Sequence, residues 1–116
     1  MRIEIKARKV AVSDELRERV ERRFDKIARQ VSPLAELEVE LSEDPKRPAS
    51  ESQVAELTLR LKGTSLRARE AASNHRTAVN EAAEDLSRQV KRLKEKRSHR
   101  RDAVRPVADA IAPDAI

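Results

Sequence analysis

The chain has no cysteine, no tryptophan and no tyrosine, and it holds only one phenylalanine and one glycine. Without cysteine there are no disulfides, no thiolate metal sites and no cysteine nucleophile, which fits a reducing compartment. With a single Phe there is no aromatic platform on which unpaired bases could stack, so contacts to RNA would fall on phosphate, sugar and shape. No run of apolar residues approaches the roughly 20 needed to span a bilayer. The opening Met-Arg-Ile-Glu-Ile-Lys alternates charge with apolar residues where a signal peptide carries a continuous apolar block, so the expected compartment is the cytoplasm. A glycine-rich phosphate loop and a nucleophile elbow are missing as well.

Charge is what the sequence has in abundance. Charged residues make up 41% of 116 residues, with a net charge of +5. That length suits one domain with a modest core. Between Arg88 and Arg105 nine basic residues (Arg88, Lys91, Arg92, Lys94, Lys96, Arg97, Arg100, Arg101 and Arg105) face only Glu95 and Asp102. Matching a helix dipole takes two or three cations in the last turn. A cluster this large is self-repulsive and points to a polyanion, nucleic acid first of all.

Hydrophobic periodicity gives the element order β-α-β-β-β-α. Ile3, Ile5 and Ala7 alternate with charged residues over 2–8, the pattern of a half-buried strand. Ser13 reads as the N-cap of a first helix with Asp14 and Glu15 in its first turn and an apolar stripe of Leu16, Val20, Phe24, Ile27 and Val31, stopped at Ser32-Pro33. Leu37, Val39 and Leu41 mark a second strand, and Asp44–Ser50 a solvated loop. Leu57, Leu59 and Leu61 mark a third strand, joined through a Gly63-Thr64 turn to a fourth with Leu66 and Ala68. Ser73 is the expected cap of a second helix with the stripe Val79, Ala82, Ala83, Leu86, Val90 and Leu93, ending near Arg97 to His99. A strand-helix-strand start implies a right-handed crossover with the first two strands parallel. The fold class is therefore α+β, a four-stranded mixed sheet with two helices on one face and a charged, wet opposite face. The domain is expected over 1–100, with 101–116 a flexible basic, Pro/Ala-containing tail or linker start.

Within the first helix Arg19, Arg22, Arg23 and Lys26 fall along one flank of the stripe at about 100° per residue, with Asp14, Glu18, Glu21 and Asp25 on the other flank and outer face. Such segregation suits a side facing an anion; plain solubility is the bland alternative. Catalysis finds little support. His75 and His99 would stand roughly 36 Å apart on one helix and cannot share a metal. Glu36, Glu38 and Glu40 read as a solvated acidic face. Neither an enzyme, a metal nor a cofactor is expected.

Three strings, Val12-Ser-Asp-Glu-Leu-Arg17 leading to Val20, Arg23, Phe24, Lys26 and Ile27, then Glu38-Val-Glu-Leu-Ser42, then Leu86-Ser-Arg-Gln-Val-Lys-Arg-Leu-Lys94, resemble the ribosome hibernation-promoting factors and ribosome-associated translation inhibitors, the sigma-54 modulation protein-like family. The resemblance runs from Met1 to about Arg97. It implies a domain similar in shape to a double-stranded RNA-binding domain. Such a domain sits on the 16S rRNA of the small ribosomal subunit, over the tRNA and messenger path, competes with both, and silences the ribosome under stress. Its basic positions fall on Arg17, Arg23 and Lys26 and on Arg88, Lys91, Arg92 and Lys94. Charge geometry adds Arg19, Arg22, Arg97, Arg100 and Arg101. Where many relatives open the second helix with Asp-Met-Tyr, this chain has Asn74-His75-Arg76, and Arg76 stands as a substitute phosphate contact. The 44–50 loop is longer than in short relatives. Two other readings remain beside this one, a free-standing double-stranded RNA binder and a basic module docking on an acidic protein. The domain is expected to be monomeric and not membrane-bound.

Overall fold

A computed structural model describes residues 1–109, with side-chain surroundings for residues 1–97. The order is β1 (Arg2–Ala7), α1 (Asp14–Arg23), α2 (Asp25–Ala28), β2 (Glu36–Glu43), a 3-10 turn (Ala49–Glu51), β3 (Gln53–Leu61), β4 (Thr64–Ala72) and α3 (His75–Asp109). The four strands form one sheet in the order β1-β2-β3-β4. β1 and β2 run parallel with Ile3 beside Leu37, and β2, β3 and β4 are antiparallel neighbours with Leu37 beside Leu59 and Leu57 beside Ala68. Alternation sends Leu37, Val39, Leu41, Leu57 and Leu59 to the covered face, where all are 1% exposed or less.

The helices supply the cover. Val20, Phe24 and Ile27 enter the same core as the strand leucines and Ala78, Val79, Ala82, Ala83, Leu86 and Val90 of α3. α3 lies across β3 and β4, and α1 lies beside it. Fully burying a side chain such as Phe24 or Leu86 contributes about 1.5–3 kcal/mol. The opposite face carries ion pairs instead: Lys6 with Glu4 (3.6 Å) and Glu38 (3.7 Å), Arg8 with Glu40 (3.7 Å), and Arg60 with Glu38 (3.4 Å).

Local chemistry corrects several expectations. Ser13 caps α1, its Oγ accepting from the Leu16 N–H at 3.1 Å. The first helix is not continuous: Phe24 donates its N–H to the Glu21 carbonyl, one residue short of the α spacing, and takes φ −95°, ψ 3°. A separate turn, Asp25–Ala28, restarts behind it, and Phe24 and Ile27, on either side of the restart, are both buried. The cap of α3 is Asn74, not Ser73. Asn74 Oδ1 accepts from the Thr77 N–H at 2.8 Å, and its carbonyl accepts from Ala78. β3 and β4 are longer than expected because Val54-Ala55 and Ala71-Ala72 interrupt the alternation while the ladder continues through them. Thr64 already pairs with Leu61, so the turn is Lys62-Gly63, with Gly63 at φ +81°, a backbone conformation side chains rarely adopt. α3 runs to Asp109, past the expected end near Arg97 to His99. The apolar stripe that set the expectation measures burial, and Ser98 to Val104 contain no glycine or proline to stop a helix.

Candidate nucleic-acid interface

Arg17, Arg19, Arg22 and Lys26 are exposed and Arg23 is half-buried. The expected segregation of signs on the first helix does not hold. Glu15 holds Arg19 at 3.3 Å and Glu18 holds Arg22 at 2.8 Å, both i,i+4 pairs with the carboxylate nearer the N-terminus, the favoured orientation. Such exposed pairs contribute about 0.3–0.5 kcal/mol and exchange readily for other anions. Arg19, Arg22 and Arg23 line an open groove with Glu15, Glu18, Arg76 and Asn80, so α1 and the first turns of α3 form its walls. Arg17 and Lys26 do not line it. Arg17 lies on the opposite flank of the apolar stripe, and the break at Phe24 puts Lys26 on the separate turn.

The three residues that open α3 each have a place. Asn74 caps the helix, and His75 Nε2–H donates to the Ser42 carbonyl at 2.8 Å, which ties the helix start to the end of β2 and puts the ring proton on Nε2. Arg76 is exposed and faces α1 across the groove.

Further along α3 the basic cluster divides around the axis. Gln89 donates to the Arg67 carbonyl at 2.7 Å, marking the flank that meets β4. At about 100° per residue, Arg92 and Lys96 lie on that flank, Arg88 lies outward, and Lys91 and Lys94 return to the flank of Arg76 and Asn80. Arg97 falls on the continuation of the apolar stripe, and both Lys94 and Arg97 line a second groove, past the end of the core. Arg88 touches Asp85 at 4.0 Å. Among the described residues Lys91, Arg92, Lys94, Lys96 and Arg97 have no ion pair. The side chains of Arg100 and Arg101 lie outside the described residues.

One contributor to the groove escaped the charge pattern, and two further cations lie apart from it. Asn80 is a polar partner on the groove wall, and Arg67 and Arg69 add exposed cations on the open side of β4. The strand alternation carried the signal for the two arginines; nothing singled out Asn80. Among the described residues no group of three or more potential metal ligands occurs, and no helix is long and apolar enough to cross a membrane.

A basic two-helix surface on a β-α-β-β-β-α sheet fits several RNA-binding families, and sequence similarity decides between them. The family model described as sigma 54 modulation protein / S30EA ribosomal protein matches residues 3–98. The chain belongs to this family. Solved structures agree in fold. The N-terminal domain of Protein Y from Thermus thermophilus superposes with a TM-score of 0.67 at 26% identity, over 80% of this chain and 99% of that one. A ribosomal subunit interface protein from Coxiella burnetii superposes with a TM-score of 0.65 at 16% identity, over 82% and 99%. No curated protein matches the chain by sequence. Membership in this ribosome-associated family supports a ribosome-binding role.

Proposed function

We propose that this domain binds the 16S rRNA of the small ribosomal subunit in the channel used by tRNA and messenger, and inhibits translation by occupying that space. The observation that carries the proposal is the groove between α1 and α3. Arg19, Arg22, Arg23 and Arg76 converge there with Asn80, Lys91 continues the same flank of α3, and Arg88 and Arg92 add cations on its outer and β4-facing sides in a chain of an S30EA family. Guanidinium forks suit phosphate oxygens in pairs. The side chains of Glu15 and Glu18 hold two of these forks in place until phosphate replaces them. No bond is made or broken in this mechanism, and the site of action is the cytoplasm.

Co-sedimentation with vacant ribosomes and with separated subunits, at low and high salt and with competing tRNA, tests the proposal. Stoichiometric, salt-sensitive binding to the small subunit, displaced by tRNA, is the expected result. Equal binding to isolated duplex RNA would favour a free-standing RNA binder. Binding that survives nuclease treatment of a lysate would favour a protein-docking module.

A further inference from the structure

The far end of α3 presents a second groove that shares no residue with the first. It measures about 770 Å³ and lies between the loop before β2, the β3–β4 turn and the last described turns of α3. Its floor is apolar: Val90 and Ala35 are buried, and Val31, Leu61 and Leu93 are half-buried. Leu34, at its mouth, is 90% exposed, the one large hydrophobic side chain so exposed among the described residues. The rim carries Arg60, Lys62, Lys94 and Arg97 against the single carboxylate of Glu36. Arg60 is shared with Glu38, whereas Lys62, Lys94 and Arg97 have no ion pair among the described residues.

We infer that this groove docks an acidic, apolar peptide segment of a partner protein, its leucine-like side chains set against Leu34, Val31, Leu61 and Leu93 and its carboxylates against the basic rim. The volume falls within the range of about 300–1,000 Å³ usual for binding pockets, and the lining joins an apolar floor to a mostly basic rim. RNA does not fit the same chemistry. Phosphates gain nothing from a leucine floor, and the one aromatic ring, Phe24, is fully buried, so bases have no surface to stack on. An amphipathic segment laid into an apolar groove uses both features at once, burial for affinity and rim charge for selection. The two grooves share no lining residue, so filling this one leaves the α1–α3 groove open, although Lys94 and Arg97 belong to the same basic run of α3.

The test is an amide NMR titration of the whole chain with the peptide acetyl-Glu-Glu-Leu-Asp-Leu-Leu-Glu-Glu-amide. Two controls accompany it, one with every acid replaced by lysine and one with every leucine replaced by serine. The acidic apolar peptide is expected to shift the amides of Val31, Leu34, Leu61 and Leu93, and both controls to leave them in place. Leu34→Glu, at a solvent-exposed position that the fold does not need, and Lys94→Glu with Arg97→Glu should each weaken binding by at least about tenfold, with the amide spectrum of each free variant reporting an intact fold. Equal binding of the leucine-free acid peptide, shifts confined to the α1–α3 groove, or undiminished binding to Leu34→Glu would overturn the inference. So would groove amides that move with protein concentration alone, which would make a second copy the occupant.

Discussion

The open sheet face and the helix face are both crowded with charge, yet the charges are used differently. On the sheet, cations and carboxylates alternate across strands, so that Glu38 takes both Lys6 and Arg60 and Glu40 takes Arg8. Along α3 the cations stand one after another with Arg88 barely in reach of Asp85, and Lys91, Arg92 and Lys94 unpaired among the described residues. The paired charges of the sheet are satisfied from within, although Arg67 and Arg69 on β4 stand exposed without an ion pair among the described residues. The cations of α3 are not paired in this way, the arrangement expected of a surface that meets an outside anion. Density of charge is thus a poor marker of a site; unpaired charge of one sign is a better one. α1 stands between the two, its arginines paired, though only through exposed bridges that phosphate can replace.

The strongest way to break this contrast is reversal on the helix side. Arg88→Glu with Arg92→Glu should abolish co-sedimentation with the small subunit and leave stability within about 0.5 kcal/mol, as exposed substitutions do; loss of the fold would show that these side chains support the core. A gentler change sharpens it. Lys91→Ala should lower the slope of log affinity against log salt by about one unit, while Lys6→Ala on the sheet should leave it unchanged. If both substitutions change the slope equally, the sheet face contacts RNA too. Asn74→Ala should cost about 1 kcal/mol in chemical denaturation through the lost cap of α3. Glu38→Gln removes the partner of two cations and should cost less than about 1 kcal/mol, with ribosome binding unchanged. The smallest effect belongs to α1. Glu15→Gln with Glu18→Gln should lower thermal stability by about 0.3–0.5 kcal/mol per pair and raise ribosome affinity, because Arg19 and Arg22 then lose their internal competitors; reduced affinity would mean that the glutamates position those arginines for RNA.

The fold was legible wherever burial follows a simple period. Leu37-Val39-Leu41 and Leu57-Leu59-Leu61 announced two strands, and the one-sided strands together with two striped helices required a single covered face. The break at Phe24 was hidden because the stripe Val20, Phe24, Ile27 keeps helical spacing straight through it; a 3-10 contact to Glu21 leaves no trace in hydropathy. The cap was off by one because Ser73 and Asn74 are both good caps, and only the Thr77 N–H chooses between them. At the site, the cations of α3 were legible from composition, but their division was not. Lys94 and Arg97 look like part of one cluster until the helix end and the loop at Leu34 create a groove for them. Arg19 and Arg22 looked unpaired because flank counting overlooked Glu15, four residues before Arg19, and placed Glu18 on another face.

The parallel register of β1 carries a consequence for the order of assembly. Leu61 meets Thr64 across Lys62 and Gly63, so β3 and β4 close with little loss of chain freedom and α3 follows directly from them. Arg2 pairs with Glu36 across an intervening segment that holds both helices α1 and α2. Pairing so distant in sequence is slow and is entered late. β1 is therefore expected to join after the β3–β4 hairpin, and it lies at one edge of the sheet as β4 lies at the other. Opening at the β1 edge would leave the β3–β4 hairpin and the helix α3 packed on it in place.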